Sequence, residues 1–414
     1  MKTFYRIFLT LFTLKEIALN KAVALLEDAV SEHGILASTI EADNYKRVWA
    51  RDGIVAGVAG LLINNKNIIE GLKRTIVTLS NYQHALGMVP SNVLVKKNGA
   101  DYSLGSIAGR VDATCWYIIG ACLLLKKHPD FEKKDWLKKH IDKALLVLDY
   151  WEFNAKGLLY IPTSGNWADE YPVKGHTLYD NLLRLWGLRL YQSIFGNKKT
   201  KEKLELIEEK IRINFWPEQK NSNSKLIYHP RLFKGAAEKK LRHWLCYLAP
   251  EGFNTTFDAA GNGLALLLNI GNQEQTETIC NYLNSVYSYL GKNLIPAFWP
   301  PIHPGAEDWA SIANNYSFDF KNHPYHFHNG GIWPVWMGLL SLGLSVNGKK
   351  GFSENILVDY LKIETPEKIN FYEYISSDKM QPGGKKPLCY SASGLVFMTA
   401  AIQGGDLKLL GIEN

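Results

Sequence analysis

Cysteine is scarce and unpatterned in this chain. Cys115, Cys122, Cys246, Cys280 and Cys389 are an odd number with no C-x-x-C pair, which argues against a disulfide scaffold or a structural zinc site and for reduced, packed thiols. Long apolar runs are missing too, since none reaches the ~18 residues that a membrane span requires. The stretch 7–14 (IFLTLFTL) behind Lys2 and Arg6 has the form of a short signal-peptide core. Lys15 and Glu16 follow it at once without a clear small-x-small cleavage pattern, so an amphipathic first helix is the expectation. Neither standard glycine-rich phosphate loop occurs, and strand signals do not alternate with helix signals, which disfavours a nucleotide-binding doubly wound sheet. Charge of one sign is only in slight excess: 47 basic against 40 acidic residues give +7. Much of that surplus sits in pairs such as Lys126-Lys127, Lys133-Lys134 and Lys138-Lys139, which read as solvated helix ends rather than a nucleic-acid surface.

What the chain does have is aromatic weight in polar company. Many of its 12 Trp and 21 Tyr residues stand beside Gly, Asn, His or an acid, a placement suited to the walls of a pocket for a polar ligand. Apolar residues recur at three- and four-residue spacing through 15–31, 53–63, 67–84, 110–126, 136–150, 176–195, 200–214, 256–269, 273–290, 331–346, 353–362 and 389–402, predicting about twelve helices. Strand signals are confined to 158–161 and 225–228. Long polar loops at 87–109, 157–175, 291–330 and 364–388 are where chemistry is expected. Twelve helices with long alternate loops suit an all-α toroid, an (α/α)6 barrel whose inner helices are apolar nearly all round. The most apolar, glycine-rich segments (53–63, 110–126, 256–269, 331–346 and 389–402) are the expected inner set. No linker divides the chain, so 1–414 reads as one domain, with the Asn/Ser/Lys stretch 219–225 a surface loop.

Four clusters carry candidate chemistry. In Trp49-Ala50-Arg51-Asp52 the acid is either a cap for the helix that follows or half of a fork gripping neighbouring sugar hydroxyls. Asp112 in Arg110-Val111-Asp112-Ala113-Thr114-Cys115-Trp116 poses the same choice. In Asn166-Trp167-Ala168-Asp169-Glu170-Tyr171 a carboxyl against an aromatic wall is expected to lose hydration, so that its pKa rises and it stays a proton donor near neutrality. The fourth cluster runs from His323 through His326, His328, Asn329 and Trp333, then Phe371-Tyr372-Glu373-Tyr374. Alternating histidines invite a metal, but the following Gly-Gly and Pro argue for an irregular polar loop, and no cofactor or metal is expected. Asp169 and Glu373, far apart in sequence and both on loops among aromatics, match what glycoside hydrolysis needs: one acid for the leaving oxygen and one base for water.

These residues resemble the (α/α)6-barrel glycoside hydrolases. The alkaline/neutral invertases (glycoside hydrolase family 100) look nearest, and glycogen-debranching glucosidase domains, trehalases and glucoamylases are similar at greater distance. Tyr45 to Asp52 resembles the invertases' Phe-(Ile/Val)-Arg-Asp and the glucoamylases' Thr-Arg-Asp. Met88-Val89-Pro90-Ser91 resembles Met-Pro-Ala-Ser, Gly109 to Thr114 resembles Gly-Arg-Val-Ala-Pro-Val-Asp-Ser, and His328-Asn329-Gly330-Gly331-Ile332-Trp333-Pro334 is close to His-Asn-Gly-Gly-Ser-Trp-Pro. Asn166 to Asp169 falls where invertases carry Cys-Met-Ile-Asp-Arg-Arg, and Phe371 to Tyr374 matches Pro-Glu-Tyr-Tyr.

The resemblance implies an inverting hydrolase with Asp169 as acid, Glu170 being the alternative, and Glu373 as base, the pair roughly 6.5 to 9.5 Å apart. It places Trp49, Arg51, Asp52, Asp112, Trp116, Trp167, Glu170, His328, Asn329 and Trp333 around a small saccharide, with neither nucleic acid nor membrane as partner. The oligomeric state is not legible. Glu170 and Tyr171 replace the invertases' paired arginines, which opens an α-glucosidase or amylo-α-1,6-glucosidase as an alternative to sucrose hydrolysis. An epimerase working through His326 and His328, or a carbohydrate-binding protein, stands behind both. Reduced thiols point to the cytoplasm, with export through residues 1–14 as the minor alternative.

Overall fold

The computed structural model describes residues 2–41, 43–365 and 367–412, with side chains from Leu14 onward. Twelve long helices alternate between an outer and an inner layer. The outer helices are α1 (Lys2–Asp28), α3 (Lys66–Asn81), α5 (Lys134–Tyr150), α7 (Lys198–Phe215), α10 (Gln273–Leu290) and α13 (Lys350–Ile363). The inner helices are α2 (Ala50–Leu62), α4 (Val111–Lys127), α6 (Leu178–Phe195), α9 (Ala259–Leu267), α12 (Pro334–Val346) and α14 (Cys389–Gln403). Two short helices, α8 (Pro230–Ala237) and α11 (Trp309–Ala313), lie in the connections. Each inner helix packs on the next, α2 on α4, α4 on α6, α6 on α9, α9 on α12, α12 on α14 and α14 back on α2, so the ring closes as an (α/α)6 barrel.

The sequence explains the two layers. Every residue of α2 except Arg51 is buried, as is all of α12 from Pro334 to Leu344. A helix apolar all round is stable only when surrounded by others. Small residues let these helices approach: a Cβ on Gly338 of α12 would stand 2.5 Å from the Gly394 carbonyl oxygen of α14. Outer helices instead carry one apolar stripe, and some have capped starts. Asn65 caps α3 by accepting from Asn67 and Ile68 (3.0 and 3.1 Å), and Asn272 with Gln275 forms a capping box on α10.

Differences from the sequence reading have physical causes. Helix α6 joins the inner ring although Asp180, Asn181 and Arg184 interrupt its apolar pattern, because all three are buried and hydrogen-bonded there. The first helix starts at Lys2 rather than near residue 15. No strand forms at 225–228, and at 158–161 only Ile161 bridges, to Gly175. Short strands form elsewhere, chiefly Asn92–Lys96 against Gly99–Ser103 and Val48–Trp49 against the first of these.

The two ends of the barrel are unequal. Inner helices pass to outer ones through short turns at 63–65, 128–133, 196–197, 268–272 and 347–349. Outer helices return through long segments at 29–49, 82–110, 151–177, 216–258, 291–333 and 364–388. All six inner helices therefore start at the loop-rich end, and two-residue strands at Val48–Trp49, His176–Thr177 and Phe257–Asp258 pin the chain just before α2, α6 and α9. All five cysteines are buried and unpaired.

Candidate active site

The first turns of the inner helices converge at the loop-rich end. Arg51 donates to Asp112 Oδ2 at 3.1 Å and lies 5.4 Å from the Tyr390 ring centroid, linking the starts of α2, α4 and α14. Tyr179 donates to the same Asp112 oxygen at 3.4 Å and meets Trp336 edge-on, linking α6 and α12. Neither Asp52 nor Asp112 caps its helix: the caps are Trp49 and Arg110, and neither makes a side-chain cap bond. The two acids sit inside the first turn, where the helix N-terminus favours negative charge. Burial nevertheless pushes the Asp52 carboxyl above its ordinary range, with Arg51 opposing.

Glu373 is anchored on both oxygens. Tyr45 donates to Oε1 at 2.8 Å, the Lys385 backbone N–H donates to Oε2 at 3.1 Å, and the Glu373 N–H returns to the Lys385 carbonyl at 2.9 Å. Gly384 makes this turn with φ +76°, and a Cβ there would collide with the Glu373 side chain, so glycine is required both for its backbone and for its lack of bulk. Burial raises the Glu373 carboxyl above its usual range, Tyr45 and the Lys385 N–H pull the other way, and the nearby Asp169 charge adds to the rise. A carboxylate that accepts from two fixed donors is oriented as a proton acceptor, and its raised pKa makes it a stronger base.

Asp169 is set differently. Arg110 pairs with Asp169 Oδ2 and also donates to the Ser164 and Asn166 carbonyls at 3.1 and 3.2 Å, holding the loop that presents the acid. The Asp169 side chain keeps 33% exposure, so it is accessible from outside the barrel wall. The expected rise in its pKa does not occur. Burial pushes upward, but Arg110 foremost, with Arg51, outweighs it and holds the carboxyl below its ordinary range. His328, pushed down to about 3 by burial, is neutral and adds little. Glu170 ties down segment 315–322, its Oε1 accepting from Ser317 N at 3.3 Å and its backbone carbonyl from Asn322 Nδ2 at 2.7 Å, while its Oε2 is buried without a protein partner.

The remaining sequence-chosen residues divide by role. Trp49 is half-buried beside Tyr45, its ring stacked at 6.2 Å and its indole N–H on the Asn44 carbonyl. Trp167 is buried parallel to Phe298 at 5.6 Å and edge-on to His328. Trp116 is fully buried and donates to Tyr179 at 2.9 Å, thus acting behind Asp112. The Asn329 side chain is spent on Ile302 and Asn322, and the Trp333 indole on the Phe327 carbonyl, so both build the loop that holds His328. Buried polar atoms without a protein partner include Arg51 Nε, Trp167 Nε1, His328 Nδ1 and Tyr390 Oη. Such atoms cost about 1–3 kcal/mol each when unmet, so they call for the polar groups of a ligand. The alternating histidines do not converge: His326 lies 3.7 Å from Asp378, and among the described residues no group of three His, Cys, Asp or Glu could hold a metal.

Sequence reasoning missed the roles of Tyr45, Tyr179, Tyr390 and Arg110. Tyr45 and Arg110 stood inside quoted motifs, but their partners, Glu373 and Asp169, lie 328 and 59 residues away.

The family model for alkaline and neutral invertases matches residues 238–396, the part of the chain that carries His328, Trp333 and Glu373. A mitochondrial alkaline/neutral invertase C from Arabidopsis thaliana is 23% identical over 363 residues, covering 74% of this chain and 53% of that protein. A mitochondrial neutral/alkaline invertase 1 from Oryza sativa subsp. japonica is 21% identical over 372 residues, covering 76% and 58%. The chain is similar to the alkaline and neutral invertases. It spans little more than half the length of these invertases. Among solved structures, a family 63 mannosylglycerate hydrolase from Thermus thermophilus in complex with glucose superposes with a TM-score of 0.65 at 13% identity, covering 92% of this chain and 99% of that one. A glucoamylase from Hormoconis resinae gives 0.60 at 11% identity, covering 94% and 74%. These likenesses show the six-hairpin barrel, and the invertase match adds the loop cluster on which Glu373 is mounted. No described helix is long and apolar enough to cross a membrane.

Proposed function

We propose that the chain is one catalytic unit, an inverting glycoside hydrolase that cleaves a small saccharide with Asp169 and Glu373. One observation carries the reading. Two carboxyl groups from loops about two hundred residues apart in sequence come close enough for the charge of Asp169 to act on Glu373 and for both to act on Tyr45. Glu373, fixed as an acceptor by Tyr45 and Lys385, takes a proton from water as that water attacks the anomeric carbon. Asp169 gives its proton to the departing glycosidic oxygen on the other face, and Arg110 must release Asp169 as the sugar enters so that the carboxyl can hold that proton. Arg51, Asp52, Asp112 and His328 Nδ1 grip the ring hydroxyls, with Trp49 and Trp167 as walls and Trp116, Asn329 and Trp333 supporting them. No step calls for a cofactor.

The invertase likeness makes sucrose the first substrate to test. A second reading, an α-glucosidase of the debranching or disaccharide type, is favoured by Glu170 and Tyr171 standing where invertases carry paired arginines, because Glu170 is committed to Ser317 and Asn322 rather than to a leaving sugar. The free, buried thiols support a reducing compartment such as the cytoplasm. A sugar-release assay on sucrose, trehalose, maltose, isomaltose and short branched dextrins, with Glu373→Gln as control, tests the proposal. Release by the native chain that Glu373→Gln abolishes supports it, and equal release by both proteins refutes the assignment.

A further inference from the structure

A second cavity lies outside the catalytic pocket. Trp151, Phe153, Tyr160 and Tyr228 wall a groove of about 620 Å³, with His176 as its floor. A smaller hollow of about 230 Å³ continues past His176, Asn154 and Tyr228 and is lined by Lys156, Lys210 and Lys225. Gly109 and Val111, which also line the groove, flank Arg110. The double cavity thus backs onto the wall that carries Arg110 and Asp169, without opening from the groups assigned to catalysis.

Two features give it the character of a built site. His176 is 1% exposed, and its Nδ1 lies 2.7 Å from the Leu159 carbonyl, which can only accept, so the proton is on Nδ1. Burial holds the ring neutral. Nε2 is therefore a bare acceptor, buried and without a protein partner, and it calls for an O–H or N–H from a ligand. At the other end gather Lys156, Lys210 and Lys225; Lys210 donates to the Lys156 carbonyl, and burial together with Lys156 pulls its ammonium down against the opposing charge of Glu152. The rim is also held in a costly conformation: Phe153 and Ala155 both take left-handed backbone angles (φ 57° and 54°), leaving the Phe153 ring 74% exposed over the groove.

We propose that this double cavity binds a phosphomonoester carried on a ring. The ring lies among Trp151, Phe153, Tyr160 and Tyr228, a ring hydroxyl or N–H donates to His176 Nε2, and the phosphate sits among Lys156, Lys210 and Lys225. The inference does not depend on the glycosidase reading, because none of these residues enters it. Isothermal titration of the full chain tests it with glucose 6-phosphate, adenosine monophosphate, unphosphorylated glucose and inorganic phosphate. The exposed-residue variants Phe153→Gly and Lys156→Gln/Lys225→Gln serve as probes that leave the core untouched. Saturable binding of a phosphorylated ring, weakened about tenfold or more by each variant, is the expected result. Tighter binding of glucose 6-phosphate identifies a sugar phosphate, and tighter binding of adenosine monophosphate a nucleotide. The proposal is overturned if neither phosphorylated ring binds, if both variants bind as the native chain does, or if inorganic phosphate alone binds equally well with and without Phe153. Basal sugar release by the two variants is expected to equal that of the native chain, so a failed titration would leave the hydrolase reading standing.

Discussion

The loops at 163–171 and 371–385 each bring one carboxyl group within reach of the other's charge, and they treat it in opposite ways. Around Glu373 the partners are neutral donors, the Tyr45 hydroxyl and a backbone N–H, set against burial that raises its pKa. Around Asp169 the partner is a cation, Arg110, which overrides burial and lowers the pKa. Two neighbouring acids thereby separate into one with a raised pKa and one held ionised by its arginine. The contrast shows that the surroundings of a carboxyl, not its residue type, decide the direction of its pKa shift.

Removing either carboxyl breaks the contrast outright and has the largest expected effect. Glu373→Gln and Asp169→Asn should each lower kcat/KM for sugar release by about 10²- to 10⁴-fold with an unchanged circular dichroism spectrum. They should differ on a glycosyl fluoride, whose leaving group needs no proton. Asp169→Asn should recover most of its loss on that substrate and Glu373→Gln should not, and equal recovery would contradict the assignment.

Neutralising the cation sharpens the comparison. Arg110→Gln keeps donors for the Ser164 and Asn166 carbonyls while removing the charge that favours ionised Asp169. The Asp169 pKa should rise, and since it lies below that of Glu373 in the free chain it sets the acidic limb of the kcat/KM profile, which should move to higher pH. A limb that stays put would disconnect Arg110 from the acid. On the other loop, Tyr45→Phe removes a donor that favours the Glu373 anion. The alkaline limb, set by the higher Glu373 pKa, should then move up, with a loss of about tenfold in kcat/KM.

The smallest effect concerns stability. Asp180, pushed up to about 8 by burial first and the Asp112 charge second, accepts from Thr177 and Asn166 at the start of α6. Its folded pKa lies above the ordinary 3.8, so the stability it lends is complete below about pH 4 and is lost as pH rises through about 8. Melting temperature should therefore fall between about pH 4 and 8 in the native chain, and Asp180→Asn should flatten that fall.

Much of this was legible in the sequence because helical periodicity is local. The twelve long helices and five of six inner ones follow from the spacing and purity of their apolar residues. Helix α6 escaped because Asp180, Asn181 and Arg184 look solvent-facing in sequence, yet find Thr177, Leu159 and Glu152 as buried partners. The proposed acids, Asp169 and Glu373, stand out in the sequence by their aromatic company. Their pKa directions could not, since Arg110 meets Asp169 and Tyr45 meets Glu373 only after the ring closes. The same limit applies to Asn329, whose place beside His328 says nothing of Ile302 and Asn322, which take up its side chain.

The central claim is that Asp169 and Glu373 act on opposite faces of the sugar, with one water between the base and the anomeric carbon. Proton NMR of the anomeric signal during the first minutes of hydrolysis, before mutarotation, tests it most directly. The account predicts that the released sugar carries the configuration opposite to that of the cleaved bond. Release with retained configuration would contradict it, because retention requires one carboxylate to attack the sugar itself.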